Sequence, residues 1–182
     1  FAIMIIISII PAGLIGFMFE DQISSLFDGN LTLVGFMLII TAVILFFSDK
    51  VRDKKKKINF MSSVIIGISQ AFAILPGISR SGSTIGASIF LGIDREIAAK
   101  FSFLMVVPVI LGSSLKLLMD NEINLEKDNL INYTSGFIAA LISGYYACKW
   151  MIVFVKKSKL IYFSIYCLII GIISIVVSNL NG

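Results

Sequence analysis

The sequence predicts an all-α, polytopic membrane protein with five spanning helices and one re-entrant helical hairpin, in a single membrane domain over residues 1–182. Three observations carry that prediction. Hydrophobic residues make up 58% of the chain and mean hydropathy is +1.00, whereas soluble domains are roughly 45–50% apolar. The apolar residues fall in blocks long enough to cross a bilayer, which takes about 20 residues at a rise of about 1.5 Å each. The loops between the blocks alternate in charge.

Taken in order, the spanning segments are Phe1–Phe19, Leu31–Phe47, Ala98–Met119, Asn132–Val155 and Leu160–Ser178. Phe1 lies already inside an apolar run, with no charged stretch before it. The first segment is therefore no signal peptide, and the N-terminus reads as a truncation. The apolar stretch Phe60–Leu91 differs from the others, because Pro76, Gly77 and Gly82 interrupt it and Arg80 charges its middle.

Loop charge orients these segments. Glu20–Asn30 has three acids and no base, and Asp120–Ile131 has four acids and one base. Ser48–Asn59 has six bases (Lys50, Arg52 and Lys54 to Lys57) against two acids, and the Lys156–Lys159 turn has three bases, with Lys149 just before it. Lys and Arg favour the cytoplasmic side, so the basic loops read as cytoplasmic and the acidic loops as external. Between Ser48–Asn59 and Asp120 the number of crossings is odd, and Ala98–Met119 supplies one. Phe60–Leu91 must then enter and return on one side, as a hairpin over residues 60–92. Asp94, Arg95, Glu96 and Lys100 follow it at the cytoplasmic interface.

Non-helical backbone at membrane depth persists only where protein or a water-filled cavity satisfies it. The hairpin tip, Leu75-Pro76-Gly77-Ile78-Ser79-Arg80-Ser81-Gly82-Ser83-Thr84, thus implies a cavity. A charge such as Arg80 at the bilayer centre costs about 2.5–3.5 kcal/mol on insertion scales, and no acid within the hairpin offsets it. Ser79, Ser81, Ser83 and Thr84 supply hydroxyls around it, and Gly77 and Gly82 let the backbone bend toward a ligand. A new helix, Ile85 to Leu91, is expected from Thr84 onward, its positive dipole end toward the tip. Together these parts make an anion site, with the planar guanidinium matched to phosphate oxygens. The competing reading is an Arg80 that snorkels to the interface beside capping hydroxyls.

Other features read as structural. Cys148 and Cys167 are small hydrophobes in apolar blocks, without metal or redox spacing. The chain contains no histidine, the commonest general base and metal ligand. Lys54–Lys57 reads as an orientation signal that touches lipid headgroups, and the expected partners are lipid and bilayer, not nucleic acid. Tyr133, Tyr145, Tyr146, Trp150 and Tyr162 fit an aromatic belt at span ends. Gln70, polar and at depth on the ascending arm, either hydrogen-bonds the tip or bridges helices, and the structural role is the favoured reading.

The tip Leu75–Thr84 resembles the second signature motif of the bacterial undecaprenyl-pyrophosphate phosphatases, the BacA/UppP type. Ile10-Pro11-Ala12-Gly13-Leu14-Ile15-Gly16 with Phe19-Glu20-Asp21 resembles that family's mid-chain span, and the order of spans agrees over the whole chain. The resemblance implies hydrolysis of C55-isoprenyl pyrophosphate to the monophosphate and inorganic phosphate, which recycles the peptidoglycan carrier and confers bacitracin resistance. It implies a multi-pass protein of the bacterial cell (inner) membrane, with inverted repeats and two hairpins meeting near the midplane. The second hairpin and one span are expected upstream of Phe1, along with the family's glutamates, its histidine and the ligands of a divalent cation (Mg or Ca). No metal ligands are expected in this chain, which alone is expected to be inactive; a homodimer is a further expectation. By the same resemblance Arg80 and Ser81 are catalytic, and Ser79, Ser83, Thr84, Gly77 and Gly82 complete the phosphate site. The alternative from another class is a transporter or lipid flippase with a broken-helix anion site. A purely structural scaffold leaves Arg80 unexplained.

Overall fold

A computed structural model describes residues 1–26, 30–52, 54–119, 127–157 and 159–181. Asp53 of the basic loop and the acids Asp28, Asp120, Glu122 and Glu126 lie outside the described residues. Among the described residues the chain forms nine helices: α1 (Ala2–Met18), α2 (Glu20–Leu26), α3 (Leu31–Lys50), α4 (Phe60–Phe72), α5 (Arg80–Phe90), α6 (Arg95–Leu104), α7 (Val106–Met119), α8 (Lys127–Lys156) and α9 (Leu160–Asn181).

Side-chain caps set several starts. Asn30 accepts from the Leu33 N–H to open α3, and Asn59 and Ser62 form a reciprocal capping box at α4. Asp94 accepts from the Glu96 and Ile97 N–H groups to open α6. Between α6 and α7 the helix breaks at Met105. Pro108 lacks an N–H, and its ring crowds the Leu104 carbonyl four residues earlier.

Four stretches are long and apolar enough to cross a membrane: Leu31–Lys50, Arg95–Lys116, Ile131–Lys156 and Leu160–Leu180. The fifth expected span is shorter than its prediction: α1 has 17 residues, about 25 Å of helix, and the chain turns at Phe19 into α2. The exterior is apolar, with Phe17, Phe36, Phe137, Leu141 and Ile172 exposed, while the interior holds Ser8, Thr41, Ser48, Ser63, Ser88 and Ser102. That inversion suits lipid, where helix association rests on small residues and interhelical hydrogen bonds and not on excluded water. Tyr145 and Tyr146 stand well inside α8 and not at a span end, their rings 5.5 Å apart.

The two arms of the hairpin, α4 and α5, double back on one another. α4 and α5 have 13 and 11 residues, each under about 20 Å and too short for a core of about 30 Å. Their outer ends meet: the Lys56 N–H donates to the Gly92 carbonyl (3.0 Å) and the Asp94 N–H to the Lys56 carbonyl (3.2 Å). The other loops read as cytoplasmic converge there too. Lys156 pairs with Glu96 at 2.7 Å, and the Leu160 N–H donates to Asp49 Oδ1 at 3.1 Å.

α5 lies at the centre, packed on α3, α4 and α6, while α1 runs alongside α4 and α9 alongside α3. Hydroxyls join the last pair in antiparallel register, Thr32 donating to Ser178 Oγ (2.8 Å) and Ser164 to the Ala42 carbonyl (2.7 Å). Ile66, Ile85, Ile89, Ala98, Ala99 and Phe101 fill the core between the hairpin and α6.

Candidate anion site at the hairpin tip

The tip is tied to the middle of α3. The Ser79 N–H donates to Thr41 Oγ1 (3.0 Å), and Thr41 in turn donates to the Met37 carbonyl (3.1 Å). Gly77 takes a φ of +93°, and a Cβ there would lie 2.5 Å from the Val34 carbonyl. Only glycine meets both demands at no steric penalty. Thr41 stands halfway along α3, a helix of 20 residues and about 30 Å. The tip therefore sits near the mid-depth of the bundle.

The second arm begins earlier than the sequence suggested, at Arg80 and not after Thr84. Ser79 is its N-cap: its Oγ accepts from the Gly82 N–H at 3.1 Å, closing the first turn. That start sets the helical phase of everything after it. At 3.6 residues per turn, neighbouring side chains diverge by about 100°, so the tip residues spread over different faces. Gly77, Ser79, Ser81 and Gly82 line a cavity of about 680 Å³ whose other walls are apolar, including Leu38, Phe103, Trp150 and Phe163. Arg80 instead lines a cavity of about 420 Å³ with Ala12, Gly13, Gly16 and Gln70. Ser83 is 3% exposed and faces an apolar cavity bounded by Met37, Ile65 and Phe72. The Thr84 hydroxyl is engaged within the protein, donating to the Arg80 carbonyl (2.9 Å) and bonded to Ser102 Oγ.

Two arginines, one at the start of α5 and one at the start of α6, are treated differently by the chain. Arg95, expected at the interface, is 5% exposed. Its Nη2 donates to the carbonyls of Ser48 (3.3 Å), Asp49 (3.0 Å) and Val51 (3.0 Å), and its Nη1 lies 3.7 Å from Asp49 Oδ1. It closes the C-terminal end of α3, where orphan carbonyls and the negative dipole end favour a cation. Arg80 is half-buried, and among the described residues its guanidinium has no hydrogen bond or ion pair. It stands at the positive end of α5, where both its own charge and the helix dipole favour an anion.

Gln70, Thr41 and Arg95 were missed or read otherwise from the sequence. Gln70 is 2% exposed, and among the described residues its Oε1 accepts no hydrogen bond from another helix; a buried polar atom left so costs about 1–3 kcal/mol. Thr41 carried a signal, being the one hydroxyl in the run Leu38–Phe47. Among the described residues no group of three or more His, Cys, Asp or Glu side chains converges. The described residues that line the Arg80 cavity, a guanidinium and an amide among apolar walls, do not fit a divalent cation.

A broken-helix hairpin that carries to mid-depth a cation without a partner among the described residues defines a class: polytopic membrane proteins with a candidate anion site. Within that class, this chain belongs to the bacitracin resistance protein BacA family, whose family model matches residues 1–173. It is 51% identical to an undecaprenyl-diphosphatase of Christiangramia forsetii, over 97% of this chain and 67% of that protein. It is 47% identical to an undecaprenyl-diphosphatase of Bacteroides fragilis, over 100% of this chain and 70% of the relative. An undecaprenyl-diphosphatase of Methanothermobacter thermautotrophicus is 44% identical over 93% of this chain, and the match covers 96% of that relative.

Proposed function

We propose that the protein carrying this chain hydrolyses undecaprenyl pyrophosphate to undecaprenyl phosphate and inorganic phosphate, and that Arg80 holds the pyrophosphate. The carrying observation is Arg80 itself: a cation without a partner among the described residues, at a helix N-terminus, at mid-depth, in a chain 51% identical to a named undecaprenyl-diphosphatase. Water attacks the terminal phosphorus, and the bond from that phosphorus to the bridging oxygen breaks. Negative charge builds on the phosphoryl oxygens and on the leaving lipid phosphate. A guanidinium fixed over those oxygens stabilises that charge more in the transition state than in the ground state.

The 680 Å³ cavity supports the lipid half of the substrate, since apolar walls converge on the Ser79 and Ser81 hydroxyls at the tip. Ser79, Ser81 and the first-turn backbone of α5 then border the headgroup on one side and Arg80 on the other. Thr84 and Ser83 shape the arm beneath. General acid–base chemistry, and any Mg or Ca ion, are assigned by resemblance to the family's glutamates and histidine expected upstream. A homodimer in the bacterial cell (inner) membrane completes the proposal, with the apolar exterior in its favour for the membrane.

The test is phosphate release from C55-isoprenyl pyrophosphate by the purified protein, with Arg80→Ala beside it. Release by the parent and its loss in the variant support the proposal. Movement of the lipid across vesicles without phosphate release would replace it by a flippase.

A further inference from the structure

We infer that Gln70 is a second ligand-contacting residue of the Arg80 cavity, its carboxamide hydrogen-bonding phosphate oxygens opposite the guanidinium. The inference rests on the reading of that cavity as a phosphate site and adds a residue to it. Gln70 comes from the ascending arm and Arg80 from the descending one, and both line the cavity that α1 borders with Gly13 and Gly16. A ligand seated there is held between the two arms.

The buried polar side chains of the bundle are otherwise accounted for by their own chain. Ser8, Ser48, Ser63, Ser88 and Ser164 each donate to a backbone carbonyl. Among the described residues, the buried side-chain polar atoms without a hydrogen-bond partner are Gln70 Oε1, Ser83 Oγ and Arg95 Nη1. Arg95 is anchored through its other nitrogen, and Ser83 faces a different cavity. Gln70 alone of the three borders the cavity of the unpaired cation.

An amide suits that place. Rotation of its terminal bond exchanges oxygen for nitrogen, so it can turn N–H donors to a phosphate. Being neutral, it leaves the Arg80 charge available, where a carboxylate would pair with the guanidinium and repel the anion. Gly13 has nothing within 4 Å of a Cβ position, so the α1 wall leaves room.

Inorganic pyrophosphate titrated calorimetrically into the detergent-solubilised protein tests this, with thermal unfolding measured in parallel. Gln70→Met keeps the volume and removes the amide; its unfolding temperature should be unchanged or higher, while pyrophosphate binds about tenfold more weakly or worse. Gln70→Glu should bind more weakly still. Parental affinity in folded Gln70→Met or Gln70→Glu would overturn the inference while leaving the phosphate site standing. A lower unfolding temperature with unchanged affinity would make Gln70 a packing residue and overturn it likewise. If the parent protein fails to bind pyrophosphate, the phosphate reading and this inference fall together.

Discussion

At the scale of single residues, the contrast between Arg80 and Arg95 organises the chemistry. Three carbonyls and a carboxylate of the same chain engage Arg95; Arg80 has no such partner among the described residues. Arg80→Lys keeps the charge and removes the planar fork, so turnover should fall by about 10²–10³-fold, the loss of one transition-state contact worth about 2.7–4 kcal/mol. Phosphate-release kinetics check this, and parental turnover would remove Arg80 from the mechanism. Gly77→Ala meets both a φ of +93° and the Val34 carbonyl. It should destabilise the protein by about 1–3 kcal/mol, read as a lower unfolding temperature. Arg80 and its hydroxyls were legible in the sequence as types. Their directions were not, because a cap by Ser79 sets the phase of α5, and nothing in the string Ser79–Thr84 says which hydroxyl will cap.

At the scale of elements, α3 is the ruler against which the hairpin is placed. Thr41 receives the tip at its middle, and Arg95 clamps its end to the start of α6. Arg95→Ala strands those carbonyls and the Asp49 carboxylate, and should cost about 3–5 kcal/mol. Arg95→Lys should recover only part, because one ammonium cannot span three carbonyls. Denaturation of the two variants in detergent measures both. α1 and α4 approach so closely that a Cβ on Gly67 would run into the Ser8 backbone. Gly67→Val should therefore push α1 from the hairpin, widen the Arg80 cavity and lower both stability and pyrophosphate affinity, where a lipid-facing substitution such as Ile6→Val should change neither.

At the scale of the whole molecule, the basic loop, both hairpin ends and the Lys156–Lys159 turn gather at one end. Single cysteines at positions 58 and 96, in a background with Cys148 and Cys167 replaced, should label from the same face of the membrane. Labelling from opposite faces would remove the hairpin and the site with it. Lysine and arginine counts together with the parity of crossings predict the doubling-back, because they constrain topology wherever lipid forbids unpaired backbone. Four of the five spanning stretches and the interrupted stretch with Arg80 in it were likewise written in the sequence, as runs of apolar residues and one broken run. Only the tertiary structure decided that Arg95 is spent on the fold and Arg80 is not, that Gln70 and not the serines shares the Arg80 cavity, and that the tip rests at mid-depth on Thr41. Those are facts about helical phase and about contacts between residues far apart in the chain, such as Thr41 with Ser79 and Ser48 with Arg95, and residue types in a row carry neither.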